Sequence, residues 1–239
     1  MAGIIIRKHI DKDTIPRHNT QKYMAQWQRN TSIPHQLYNY YVTLLFGGVV
    51  TMSRSFLILY GVGGSEQSHW QSWLYRELVK QGEKVYFPDF PDKDQPIKDV
   101  WLKHLSFIFE KIPQNEEVTV VAHSLACIMW FHYAASHPRR KAKRAILVSL
   151  PSPYLQYEPV MTFFPLPEDK HEVANVAEKT LFVLSSTDPY CSLGDAYQYL
   201  DLGVPCVILP KMGHINVESG YGPWQWILDV CLFEKGAQI

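Results

Sequence analysis

The sequence predicts a doubly wound α/β domain: a mostly parallel six-stranded sheet with helices on both faces. Two observations carry this. Short, continuous apolar runs recur between residues 55 and 209, each closed by Gly, Pro, Ser or Asp. Most are separated by segments with helical spacing of apolar residues. Strands that are apolar throughout are covered on both faces, as in a parallel sheet. Right-handed crossovers then wind the chain over both sides.

The elements follow in order. Phe56–Tyr60 reads as a first buried strand, ending in Gly61-Val62-Gly63-Gly64. His69–Lys80 carries Trp70, Trp73, Leu74, Leu78 and Val79 at helical spacing. Lys84–Phe87 is a second strand, stopped by Pro88 and Pro91. Lys98–Lys111 is an amphipathic helix with Val100, Trp101, Leu105, Ile108 and Phe109 on its apolar side. Val118–Ala122 is a third strand, and Leu125–Ser136 an apolar helix. That helix ends at His137-Pro138 and a basic run, Arg139–Arg144, expected to be solvated. Ala145–Val148, Thr180–Leu184 and Cys206–Leu209 complete the strands, with helices near Leu193–Leu200 and Pro223–Phe233.

Composition narrows the function. The 239 residues hold 23 Lys+Arg and 23 Asp+Glu, and this balance argues against a general nucleic-acid binder. Residues 1–51 carry six basic and two acidic residues, a net of +4, so the remainder carries −4. Cys127, Cys191, Cys206 and Cys231 are widely spaced without a C-x-x-C, which argues against a metal knuckle or a disulfide framework. Reduced, mostly buried thiols are expected. The apolar stretch Tyr40–Val50 is too short to span a bilayer, and Met1–Ile6 lacks a signal-peptide n-region. A cytoplasmic protein is the expectation.

In open α/β sheets the chemistry collects at the carboxyl ends of the strands. The loop after the first strand fails the dinucleotide fingerprint, because Glu66 stands where the third Gly belongs, and no Gly-Lys-Ser/Thr follows for a phosphate loop. It is either a tight turn or an oxyanion loop. After the third strand, Ala122-His123-Ser124-Leu125-Ala126 puts a serine at a sharp strand-to-helix turn between small residues. That is the pattern of a nucleophile elbow. After the fifth and sixth strands stand Asp188 and His214. Ser124, Asp188 and His214 follow the Ser…Asp…His order of α/β-hydrolases. A serine hydroxyl needs an adjacent base; His214 would supply it and Asp188 would orient it. The backbone N–H groups of Leu125 and Val62 are the expected oxyanion donors. No metal or organic cofactor is required. His123 and His69-Trp70 read as packing or supporting residues, Cys127 as a buried thiol, and Asp195 and Asp201 as helix-surface residues.

From Ser55 onward the sequence resembles the retinoblastoma-binding protein 9 family of small serine hydrolases. The matching pieces are Gly61–Ser65 with His69-Trp70, Ala122-His123-Ser124-Leu125, Thr187-Asp188-Pro189, and Gly213-His214-Ile215-Asn216 followed by Ser219-Gly220-Tyr221-Gly222-Pro223-Trp224. The last is the most specific. Ala126 departs from the family's usual Gly, and Tyr60-Gly61 stands where many hydrolases have His-Gly. The resemblance implies a compact α/β-hydrolase fold in which Ser124, Asp188 and His214 form the triad. The expected activity is hydrolysis of esters or related acyl bonds of a small-molecule substrate, through an acyl-enzyme. A protein-binding module with little catalysis, and an amidase or serine peptidase, are the competing readings. Leu150–Pro167, with five prolines and several aromatics, is expected to line the acyl pocket as a lid or a folded-back loop.

The hydrolase domain is expected to occupy residues 52–239. Residues 1–51 are expected to be a basic extension, poorly ordered or not translated. Gly47-Gly48 shortly before Met52 is compatible with a ribosome-binding run if the source is bacterial.

Overall fold

The computed structural model describes residues 52–232. The expectation for residues 1–51 therefore lies outside the described residues. Six strands form one sheet: β1 (Ser53–Leu59), β2 (Lys84–Tyr86), β3 (Glu116–His123), β4 (Ala142–Val148), β5 (Ala177–Ser185) and β6 (Cys206–Leu209). Their spatial order is β2-β1-β3-β4-β5-β6, and every pairing is parallel. Among the described residues five α-helices accompany them: α1 (Trp70–Lys80), α2 (Lys98–Lys111), α3 (Leu125–Ala135), α4 (Leu193–Leu200) and α5 (Gln225–Leu232). This is a compact α/β-hydrolase fold.

Alternation along the strands separates the two layers. Leu57 and Leu59 of β1, Val120 of β3, Leu147 of β4 and Phe182 of β5 face α2, α3 and α4. Phe56, Ile58, Val121, Ile146, Val148 and Val183 face α1 and α5. Helix α3 is enclosed almost all round, with nine of its eleven residues buried, which explains its uniformly apolar sequence. Helix α2 buries Trp101, Leu105 and Phe109, while Val100 is 44% exposed and leaves the expected apolar side.

One sequence expectation changes, and one open alternative is decided. The basic run is not a solvated helix end: β4 begins inside it, at Ala142. Arg140 donates to the carbonyls of Phe109, Ile112, Pro113 and Glu116. Arg144 donates to those of Val230 and Cys231. Arg140 thus ties the C-terminal end of α2 to the start of β3, and Arg144 ties β4 to the last turn of α5. The Pro-rich segment after β4, expected as a lid or a folded-back loop, takes the folded-back form and carries a 3₁₀ helix, Glu158–Phe163, with Pro in its first turn. Phe163 anchors it in the core beside Trp101 (ring centroids 5.8 Å), and Tyr154 and Tyr157 remain exposed. The segment is thus a packed wall and not a detached lid.

Candidate active site

Ser124 follows β3 directly and has φ 56° and ψ −126°. A non-glycine residue in this region is strained and is held only by its surroundings. Its N–H donates to the Val148 carbonyl (3.0 Å), and its carbonyl accepts from the Cys127 N–H (2.8 Å). Gly61 packs on the turn. A Cβ there would lie 2.9 Å from the Ser124 Cβ, 3.1 Å from the Leu125 nitrogen and 3.2 Å from the His123 carbonyl. Glycine is needed at position 61 for space.

The sheet brings the three sequence-predicted residues together. His214 Nδ1 lies 3.0 and 2.9 Å from the two carboxylate oxygens of Asp188. His214 Nε2 lies 2.8 Å from Ser124 Oγ. A proton on Nδ1 donates to the carboxylate and leaves the Nε2 lone pair facing the serine hydroxyl. Asp188 and His214 are both buried, and Asp188 also accepts from the Tyr190 N–H (2.9 Å). The Tyr190 ring stands edge-on to His214 at 4.6 Å.

The loop carrying His214 is fastened at several points. The hydroxyls of Ser186, Ser185 and Thr187, at the end of β5, accept from the N–H groups of Lys211, Met212 and Gly213. Ser219 Oγ accepts from the His214 N–H (3.1 Å) and donates to Asn216 Oδ1 (2.8 Å). Gly213 has φ 56°, and a Cβ there would meet Ser219 Oγ at 2.4 Å. Trp70 Nε1 donates to the Ile215 carbonyl (2.7 Å). Residue-by-residue reading did not assign roles to Asn216, Ser219 or the β5-end hydroxyls; the signal was the unusual Gly213–Trp224 motif itself.

Two further histidines line the same wall. His123 Nε2 donates to the His214 carbonyl (3.0 Å). Burial, then the charges of His214 and His69, hold its pKa well below the usual imidazole range. Burial first and His214 second bring His69 down to about 4. Both rings are therefore neutral near pH 7. Their centroids are 5.1 Å apart, and His123 lies 5.0 Å from His214.

These groups border a cavity of about 450 Å³, within the range of small-molecule sites. Apolar walls come from Val62, Leu125, Pro151, Leu155 and Val160. Among the described residues, neither the Val62 nor the Leu125 N–H has a hydrogen-bond partner, and both residues line the cavity. Cys127 lies buried behind the elbow and donates to the Ala122 and Val148 carbonyls; burial raises its pKa far from the thiolate range. Among the described residues, no group of three or more His, Cys, Asp or Glu side chains is placed to hold a metal ion. No helix among them is long and apolar enough to cross a membrane.

Solved structures share this architecture. The ydeN gene product of B. subtilis is 22% identical, with a TM-score of 0.63 over 74% of this chain and 96% of that one. A YdeN-like hydrolase from Pectobacterium atrosepticum is 20% identical, with a TM-score of 0.58 over 76% and 90%. Est1E from Butyrivibrio proteoclasticus, solved with ferulic acid bound, is 13% identical, with a TM-score of 0.56 over 76% and 87%. At these identities the likeness is one of fold. No curated protein sequence matches the chain. Residues 56–232, nearly the whole of the described domain, match the serine hydrolase family, and the chain belongs to that family.

Proposed function

We propose that the protein is a carboxylesterase-like hydrolase in which Ser124, His214 and Asp188 act as nucleophile, base and orienting acid. The observation that carries this is the continuous chain of contacts from the Asp188 carboxylate through His214 to Ser124 Oγ at 2.8 Å. Ser124 Oγ attacks the ester carbonyl carbon while its proton passes to His214 Nε2. Asp188 stabilises the resulting imidazolium. The negative charge on the carbonyl oxygen is received by the N–H groups of Leu125 and Val62, whose lack of other partners supports this role. Collapse breaks the bond to the alkoxy group, which leaves as the alcohol with the His214 proton. Water, deprotonated by His214, then cleaves the acyl-Ser124 ester and releases the carboxylic acid.

The apolar walls favour a small or medium acyl chain. Within the serine hydrolases, the Gly213–Trp224 motif supports kinship with the retinoblastoma-binding protein 9 group. A fluorophosphonate probe tests the mechanism. Wild type is expected to be labelled at one serine and to hydrolyse p-nitrophenyl esters; Ser124→Ala is expected to do neither. Labelling of Ser124→Ala equal to wild type overturns the proposal.

A further inference from the structure

His69 is placed to do more than pack. It is the N-cap of α1, and its Nδ1 accepts the Gln71 N–H at 3.2 Å. Ser65 Oγ is also near Nδ1, at 3.3 Å, but its proton is committed to Gln71 Oε1 at 2.7 Å. Gln71 is in turn fixed in that orientation, because its Nε2 donates to the Leu59 carbonyl. Nδ1 therefore presents a lone pair, and the ring proton resides on Nε2. Nε2 has no partner among the described residues, and the ring lines the cavity. The cap thus fixes a neutral imidazole in one tautomer, with its remaining N–H available to whatever fills the cavity.

The position of that donor limits what it can meet. His69 shares its wall with His123 and His214. In the esterase mechanism proposed above, this is the side of the base, from which the alcohol takes its proton and departs. The charged residues bordering the cavity are Glu66 and Glu218; among the described residues no Lys or Arg borders it. A carboxylate or phosphate on the substrate would face two like charges and no cation. A neutral oxygen would face only a neutral donor.

We infer that His69 is a substrate-positioning residue, whose Nε2–H donates to a neutral ether, hydroxyl or carbonyl oxygen in the alcohol part of the ester. The preferred substrate class is then esters of oxygen-bearing alcohols. This rests on the esterase reading above.

The test compares 2-methoxyethyl butanoate with butyl butanoate, which match in chain length and differ by one ether oxygen. Wild type is expected to favour the methoxyethyl ester in kcat/KM by roughly three- to tenfold, the size of one neutral hydrogen bond. Two variants separate capping from substrate contact. In His69→Asn the amide replaces Nδ1, so the cap is kept and the distal donor is lost. Its Tm is expected to stay near wild type while the ratio falls to about one. In His69→Gln the amide reaches the place of Nε2, so the cap is lost and the donor kept. Its Tm is expected to fall by roughly 2–4 °C while the preference persists. A ratio that survives in His69→Asn, or one absent from wild type, overturns the inference while leaving ester hydrolysis and Ser124 labelling intact. A wild type that is neither labelled nor active on any ester overturns the esterase reading, and the inference with it.

Discussion

The Gly61→Ala variant probes the contact on which the site geometry depends. The added methyl would sit 2.9 Å from the Ser124 Cβ and 3.1 Å from the Leu125 nitrogen. Carbon atoms rest at about 3.5–4.0 Å, so the loop or the elbow must retreat by roughly 0.6–1 Å. All three atoms the methyl would crowd belong to the elbow itself, and none is the far end of a flexible side chain. Overpacking of this kind costs about 1–3 kcal/mol, so Tm is expected to fall by roughly 3–10 °C. The larger effect is on rate. Val62, the next residue, and Leu125, whose nitrogen is crowded, are the two proposed oxyanion donors, and a misplacement near 1 Å costs about 10²-fold. Steady-state hydrolysis of p-nitrophenyl butyrate and the rate of fluorophosphonate labelling are the assays. Gly82→Ala is the control: Gly82 has φ +81°, with nothing within 4 Å of an added Cβ. It should lose stability through backbone strain and keep its kcat. A Gly61→Ala enzyme with kcat within threefold of wild type would refute the reasoning, because the crowding would then not reach the reacting atoms.

Four further outcomes are expected. Asp188→Asn keeps the shape of the site but lets His214 take the wrong tautomer, so kcat should drop by about 10⁴-fold with the fold intact by circular dichroism. Trp70→Phe leaves the Ile215 carbonyl without its 2.7 Å donor, and chemical denaturation should show a loss of about 1–3 kcal/mol. Thiol titration of the native protein at pH 8 should reach Cys206 first, since it is only half-buried. Burial pushes Cys191 and Cys231 up to about 12, so both should react only after denaturation. Acid stability should depend on His69: the unfolded chain takes up its proton near pH 6.5 and the folded one only near 4. Its contribution is therefore present above pH 6.5 and is lost as pH falls towards 4, by about 3 kcal/mol. Urea titrations between those pH values should show a shallower decline for His69→Asn; an identical slope would remove His69 from the account.

The strand-end rule made Ser124, Asp188 and His214 legible, because a parallel sheet delivers successive loops to one edge whatever their sequence separation. Ninety residues separate the serine from the histidine, yet each could be placed from the apolar run before it. Strand lengths were less legible. The lower halves of β3, β4 and β5 carry Glu116, Arg144 and Lys179, whose side chains give no apolar signal. The role of Arg140 was invisible for a related reason. Its targets are carbonyls, and the sequence does not show which carbonyls the fold brings within its reach. The segment after β4 was legible in composition but not in conformation: its prolines exclude a long α-helix, whereas the burial of Phe163 depends on its meeting Trp101 across the fold.

The most specific motif in the chain acquires a physical meaning from what it touches. Gly213–Trp224 contains the histidine, and beyond its ties to β5 and within itself it is held by the start of α1. A Cβ on Gly222 would meet the Ser68 carbonyl at 2.9 Å. Trp70 bonds the Ile215 carbonyl and stacks edge-on against Trp224 at 5.3 Å. His69, between Ser68 and Trp70, caps the helix and lies against His123. The loop after β6 and the turn before α1 therefore form one interlocked unit, and His69 and His214 are its two faces on the cavity. A change that loosens the docking of α1 should move both histidines together. Such a change would alter the choice of substrate and the rate in one step, although neither residue had been substituted.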